Sequence, residues 1–206
     1  MLPTWLNWAQ RIMAIAQNGL TYTQNPFDIE RYQKLRSIAA EIYSSYSSIP
    51  QPSVLDLFQG ETGYATPKID VRAVVFRDNK ILLVREKLDQ GRWTLPGGWA
   101  DINDSPSEAV EREALEETGY VVKAVKLLAL YDRNKHPHPP FIHHIYKLFF
   151  LCDIIGGSPQ SSIETGEAGF FLADEIPELS TGRVTYPQIS RFFEFIDHPD
   201  WPTDFD

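Results

Sequence analysis

One stretch constrains this chain more than any other: residues 93–120, WTLPGGWADINDSPSEAVEREALEETGY. It reads as a strand end, a glycine turn, a loop and an acidic helix. Ser105 stands where an N-cap belongs, Pro106 suits the first helical position, and Glu108 follows the cap at capping-box spacing. Gly119 supplies a C-terminal stop. Within the helix, at about 100° per residue, Glu113, Glu116 and Glu117 share an arc of roughly 100°. Three like charges on one face are tolerated in water, or where a divalent cation sits among them. Hard oxygen ligands of this kind suit Mg2+ or Mn2+, completed by waters and phosphate oxygens. For an isolated E-x-x-E-E, a solvated acidic face is the competing reading.

The surroundings decide between the two. Gly98, Arg112, Glu113, Glu116, Glu117 and Gly119 stand in the register of G-x5-E-x7-R-E-U-x-E-E-x-G-U, where U is a bulky apolar residue. The stretch therefore resembles the Nudix box. Two positions depart from it. Asp104 replaces the first glutamate, keeping the charge and losing a methylene, and Ala114 is smaller than the usual U residue.

The resemblance implies an α/β/α sandwich with a mixed sheet over about residues 68–195, and hydrolysis of a nucleoside diphosphate linked to another group. It implies Glu113, Glu116 and Glu117 as helical metal ligands, with the Gly97 carbonyl completing the sphere. Glycine suits that position because the backbone there must approach closely. Arg112 would orient Glu113 by a charge-assisted hydrogen bond, against the alternative of a surface pair with Glu108 or Glu116. Catalysis would rest on positioning and electrostatics, with Arg112 and Glu116 among the working residues. A further glutamate often joins from beyond the box. Glu164 and Glu167 in IETGEAGFF are the candidates, Glu167 being preferred as ligand or base over an exposed loop carboxylate.

Composition narrows the field. With 206 residues and 43% hydrophobic content, the chain is long enough for one domain of usual size plus an appendage. A net charge of −9 argues against a general nucleic-acid binder, so an anionic substrate must be met by metal or by a local basic cluster. Cys152 is the sole cysteine and sits in an apolar run, as a packed small hydrophobe rather than a nucleophile. No apolar run reaches spanning length and no signal peptide is evident, so a cytoplasmic setting is the expectation.

Upstream, residues 4–18 carry Trp5, Trp8, Ala9, Ile12, Ile15 and Ala16 at helical spacing, ending at Gly19. A second helix runs from about Asn25 to Tyr46. Together, residues 1–47 make a helical hairpin that either forms a homodimer or docks on its own chain. Residues 48–67, rich in proline and polar side chains, read as a linker. Residues 68–206 form the catalytic domain. Its strands are expected at 69–77 and 80–85 around an Asp78-Asn79 turn, then at 93–95, 121–131 and 142–153 before a Gly156-Gly157 turn. A short strand holds Phe170 and Phe171, and a last helix starts near Pro187.

Arg72, Arg85 and Arg92 are the basic residues ahead of the box. Arg72 shares a strand face with Asp70 and Val74, either as a site residue or as an edge charge. The segment YDRNKHPHPPFIHH holds four of the five histidines. Zinc binding through His136, His138, His143 and His144 is disfavoured by the interleaved prolines. A substrate loop offering Tyr131, Arg133 or a histidine competes with an ordinary surface loop.

WLNWAQRIMAIAQNGLTY, DIERYQKLR, GYATPKIDVR and RNKHPHPP are together similar to bacterial Nudix proteins with an N-terminal helical domain. That subgroup is generally labelled ADP-ribose pyrophosphatase, and some members are similar to CDP-choline pyrophosphatases. The resemblance leans toward CDP-choline, cleaved to CMP and phosphocholine, with ADP-ribose close behind. A choline headgroup would want an aromatic cage, for which Trp93, Trp99, Tyr131 and Phe141 are candidates. A non-hydrolytic nucleotide sensor and an RNA-processing enzyme remain as other classes. Intact Glu113, Glu116 and Glu117 argue against the first, and the acidic charge against the second.

Overall fold

The structure, a computed structural model, describes residues 2–160 and 165–206. The chain divides into two compact units: Met1–Pro67 with Pro140–His144, and Lys68–Pro139 with Ile145–Asp206.

The first unit is helical. α1 (Thr4–Tyr22) and α2 (Pro26–Ser45) form the expected hairpin, with Asn25 capping α2 by accepting from the Phe27 N–H at 2.9 Å. α1 does not stop at Gly19. That glycine lies inside the helix, where a Cβ would sit 2.3 Å from the Tyr32 ring, so its bareness sets the approach of the two helices. The segment read as a linker contains a third helix, α3 (Gln51–Gly60), whose Val54 and Phe58 are buried. The reading of residues 48–67 as a linker therefore needs correction. Pro50 and Pro52 occupy the N-cap and first turn, where no intrahelical N–H is required, and so start this helix rather than break one. Leu6, Met13, Ala39, Ala40, Tyr43, Val54, Phe58 and Ile142 form the unit's core. Gln10 donates to the carbonyl of Phe141 at 3.1 Å, tying down the 140–144 segment. Trp8 and Ile15, expected on the buried stripe, are more than half exposed; Leu6, Ala9, Met13 and Ala16 form the inner face instead.

The second unit is an α/β/α sandwich. β1 (Lys68–Val74) pairs in parallel with β6 (Ile145–Gly157), which pairs antiparallel with β5 (Tyr120–Asp132), which pairs in parallel with β8 (Asp204–Phe205). A second sheet is centred on β3 (Lys80–Glu86), flanked antiparallel by β2 (Phe76–Arg77), β4 (Trp93–Thr94) and β7 (Thr165–Phe171). Asp78 and Asn79 both adopt positive φ, 51° and 58°, as a tight hairpin between β2 and β3 requires. Gly156 and Gly157, expected as a turn, instead end β6 and pair with Val121 and Tyr120.

Helix α4 (Pro106–Thr118) contributes Ala109, Val110 and Ala114 to a core with Val71, Ala73 and Leu148. Helix α5 (Tyr186–Asp197) contributes Ile189, Phe192 and Phe195 to a second core with Val74, Leu128 and Phe149. Cys152 is buried in the first, and its surroundings push the thiol up to about 12, as suits a packing residue. Among the described residues no helix is long and apolar enough to cross a membrane.

Candidate active site

The site is built on α4. Ser105 accepts from the Glu108 N–H while the Glu108 carboxylate accepts from the Ser105 N–H at 2.9 Å, and Gly119 ends the helix in the left-handed region at φ 74°. With Ala109, Val110 and Ala114 turned into the core, the three glutamates fall on a flank and are graded in burial. Glu117 is buried, Glu113 is half-buried and Glu116 is exposed.

Against that flank lies the 96–100 loop, held along β1 by Ala73 N–H to Pro96 O, Val71 N–H to Gly98 O (both 2.8 Å) and Ala100 N–H to Ile69 O (3.1 Å). Gly97 has φ +141°, and a Cβ there would stand 2.0 Å from the Val71 carbonyl oxygen. Its N–H donates to Glu117 Oε2 at 2.8 Å. A Cβ on Gly98 would meet Glu113 Oε2 at 2.7 Å. The two glycines thus let one loop touch β1 on one side and two α4 carboxylates on the other.

Burial pushes the Glu117 carboxyl up to about 7. Repulsion from Glu86 and Glu113 adds to this, and Arg72 and the Gly97 N–H oppose it. Glu113 is raised too, by burial and by Glu116, with Arg112 opposing. Arg112 gathers the outer acids: it donates to Glu113 Oε1 at 2.9 Å, Asp104 Oδ2 at 3.0 Å and Glu116 Oε2 at 3.2 Å, and pairs with Asp101 at 3.2 Å. The shortened Asp104 therefore reaches the arginine.

Behind Glu117 runs a buried ionic row. Arg72 donates to both oxygens of Asp70, at 3.0 and 2.8 Å, and to Leu95 O at 3.1 Å. The parallel register sets Lys147 of β6 directly beside Asp70, and its Nζ donates to Asp70 Oδ1. Burial would raise the Asp70 carboxyl, but Arg72 and Lys147 hold it at about 2. For Lys147, burial and the neighbouring arginines press the pKa down and Asp70 presses it up. Arg72 is thus buried, although β1 ends its sheet, and its charge is met by Asp70.

The other expected residues have partners of their own or stand exposed. Arg85 is exposed on the opposite face of β3 from Glu86 and donates to Gly91 O at 3.1 Å. Arg92 pairs with Asp89 and Glu178. Tyr131 is buried and donates to Asp204 Oδ2 at 2.8 Å. Arg133 is buried with its Nε 3.4 Å from Gly182 O, close enough to Lys147 to repel it. Glu167 is exposed on β7, and Glu164 lies outside the described residues. His138 is held between Thr181 O at 2.7 Å and the Gln188 amide at 3.2 Å, and burial drives its pKa down to about 3, leaving a neutral ring. Trp93 packs on Phe171, Tyr131 on Phe149 and Phe141 on His143, while Trp99 is 45% exposed.

Sequence reasoning missed Lys147, Glu86 and Arg183. Lys147 was visible as the one charge in IYKLFFLC. Glu86 is buried at the end of β3, pairs with Arg183 at 3.0 Å and adds to the charge around Glu117.

Among the described residues no three histidine, cysteine, aspartate or glutamate side chains converge as a closed metal set, and Glu113 and Glu116 lean on Arg112. The donor chemistry suits a hard divalent cation all the same. Glu117 is a buried carboxylate repelled by two others, and the bare Cα of Gly98 leaves the room that the Glu113 carboxylate takes.

Comparison with known proteins bears on this geometry. The pattern of the NUDIX domain matches residues 66–192, and that of a UDP-X-like, N-terminal oligomerisation domain matches residues 3–58. A Bacillus subtilis protein, YjhB, provisionally named an ADP-ribose pyrophosphatase, is 48% identical over 202 residues, covering 98% of this chain and 97% of its own. A crystal structure of an ADP-ribose pyrophosphatase from Streptococcus suis is 40% identical, with a TM-score of 0.62 over 68% of this chain and all of that one. A crystal structure of a UDP-X diphosphatase is 35% identical, with a TM-score of 0.63 over 98% of both chains. Nudix hydrolases generally use divalent cations. The acidic flank and its double-glycine loop thus lie within a matched domain of residues 66–192, and the chain belongs to the Nudix family as a hydrolase acting on phosphoanhydride bonds.

Proposed function

We propose that the protein is a Mg2+-dependent pyrophosphohydrolase, with Mn2+ able to substitute, whose substrate is a nucleoside diphosphate linked to a second moiety. ADP-ribose, cleaved to AMP and ribose 5-phosphate, is the leading substrate. The observation that carries the reading is the α4 flank of Glu113, Glu116 and Glu117 pressed against the 96–100 loop by the Gly97–Glu117 hydrogen bond. The choice of ADP-ribose is supported by the names of the B. subtilis and S. suis relatives.

Glu113, Glu116, Glu117 and the Gly97 carbonyl are the groups that would hold the cation. When bound, it would neutralise the diphosphate and lower the pKa of the attacking water. Arg112 sets the Glu113 and Glu116 rotamers through its hydrogen bonds. Arg72, itself fixed by Asp70, lowers the cost of ionising Glu117 in a buried place. Water oxygen bonds to one phosphorus, the bridging P–O bond breaks and the water proton passes to a carboxylate. Glu167, exposed on β7, remains the candidate base from outside the helix.

A second reading is a pyrimidine substrate such as a UDP-linked compound or CDP-choline. It draws on the UDP-X diphosphatase likeness along nearly the whole chain, and on the UDP-X-like description of the N-terminal match. Of the four aromatic residues suited to a choline cage, only Trp99 is strongly exposed. A non-hydrolytic sensor has no such support.

The test is hydrolysis of a panel of ADP-ribose, CDP-choline, UDP-glucose and NADH with Mg2+ and with chelator, beside Glu117→Gln. Expected are Mg2+-dependent release of nucleoside monophosphate, fastest from ADP-ribose, and a kcat lowered by about a hundredfold or more in the variant. The variant should melt no earlier than the parent, because the amide oxygen still accepts from Gly97 and a repelled charge is gone. No turnover of any diphosphate would favour the sensor.

A further inference from the structure

We propose that Arg183 is a substrate-binding residue that grips a phosphate oxygen of the diphosphate. The inference rests on the pyrophosphohydrolase reading above and adds to it a residue lying far from the acidic helix in sequence.

Arg72 and Arg112 adjoin the acidic flank, and Arg183 pairs with Glu86, whose charge Glu117 feels. The donors of Arg72 are committed to Asp70 and Leu95 O, and Arg112 is surrounded by Asp101, Asp104, Glu113 and Glu116. Arg183 differs from both. Its Nε meets Glu86 Oε1 at 3.0 Å and its Nη1 meets Ser180 Oγ at 3.1 Å, with Asp89 at 3.8 Å from the same Nη1. These contacts engage Nε and Nη1, and none of them uses Nη2. The side chain is 35% exposed, so an incoming ligand reaches it. A planar guanidinium fixed through Nε and Nη1 can turn its Nη2 to a phosphate oxygen.

Its placement is built from several elements. The turn at 180–183 is closed by Arg183 N–H to Ser180 O at 2.8 Å, and Ser180 N–H donates to Trp93 O at 2.8 Å. Trp93 opens the strand that leads into Gly97 and Gly98. The next two carbonyls of the turn are held from the histidine segment, Thr181 O by His138 and Gly182 O by Arg133. Glu86 connects this turn to the helix. It stands across from Thr165 in the β3–β7 pairing, and the Thr165 hydroxyl donates to Glu117 O at 2.8 Å. Its charge is also felt by Glu117 and Arg72. Arg183 is thereby linked through Glu86 and Thr165 to the end of α4 that carries the buried glutamate. Glu86 acts as a positioning residue, aiming the guanidinium.

The test compares wild type, Arg183→Gln, Arg183→Lys and Glu86→Gln with Mg2+. KM and kcat are measured on whichever panel substrate turns over fastest, and inorganic pyrophosphate binding by titration calorimetry, which needs no turnover. Arg183→Gln is expected to raise KM by about tenfold or more and to weaken pyrophosphate binding in parallel, with kcat changed far less. Arg183→Lys should recover part of the loss, and Glu86→Gln should shift KM in the same direction. Should Arg183→Gln fail to fold, the lysine and Glu86→Gln variants carry the same comparison. Wild-type KM and pyrophosphate affinity in a folded Arg183→Gln would overturn this inference and leave the pyrophosphohydrolase reading standing. A wild type that cleaves no diphosphate sinks that reading, and pyrophosphate binding indifferent to Arg183 then sinks this one too.

Discussion

Asp70 shows at the scale of one residue how the site is braced. It takes two hydrogen bonds from Arg72 and one from Lys147, all three side chains being buried. Its carboxyl is held at about 2, below the ordinary 3.8. A depressed folded-state pKa means that the unfolded chain takes up the proton first. The stabilisation is full above about pH 4 and is lost as pH falls from there to about 2, amounting to roughly 2 kcal/mol. Asp70→Asn should remove that acid-limb slope. It should also lower stability near neutrality by about 3–5 kcal/mol, because two cations lose their buried counterion. Denaturant melts of both proteins across that pH range check this; parallel curves would disprove it. The sequence showed part of this row. Alternation put Asp70 and Arg72 on one face of β1. Lys147 sits in an apolar run 77 residues away, and only the parallel register of β1 and β6 makes it Asp70's neighbour.

Among the elements, the 96–100 loop and α4 were the most legible, because local chemistry dictates them. The capping box, the first-turn proline and the left-handed Gly119 all stand where their residue types predict. Gly97 is the tightest point, with a β1 carbonyl oxygen 2.0 Å from where a Cβ would be. Gly97→Ala should therefore cost about 3 kcal/mol or more and abolish hydrolysis, since either β1 or the loop must move. A thermal melt and an activity assay test this, and a variant with parental melting and rate would refute it. Helix α3 was hidden because proline signals a breaker in general but an initiator in the first turn. Arg85 was misleading for a related reason. Its strand was read correctly, but the side of β3 it faces depends on pairing with β7 and β4.

For the molecule as a whole, the mixed sheet and the two cores follow the sandwich that the box implies, whereas assembly depends on surfaces that sequence patterning reads poorly. Trp8, Ile15 and Tyr22 recur every seven residues on α1 and are 56%, 57% and 71% exposed, outside the unit's own core. With the N-terminal match described as an oligomerisation domain, we infer a homodimer formed through this stripe. Light scattering should give twice the chain mass for the parent and a monomer for Trp8→Glu/Ile15→Glu. An unchanged mass in the double variant would assign the contact elsewhere.

The helical unit takes one core residue, Ile142, and two carbonyl acceptors for Gln10, at Phe141 and Ile142, from a segment more than seventy residues beyond its last helix. During synthesis, then, the first helices emerge from the ribosome without a piece of their own interior. They must wait, partly greasy, until most of the catalytic sheet has been made. A protease cut or a gene split at residue 67 would strand that missing piece on the wrong fragment.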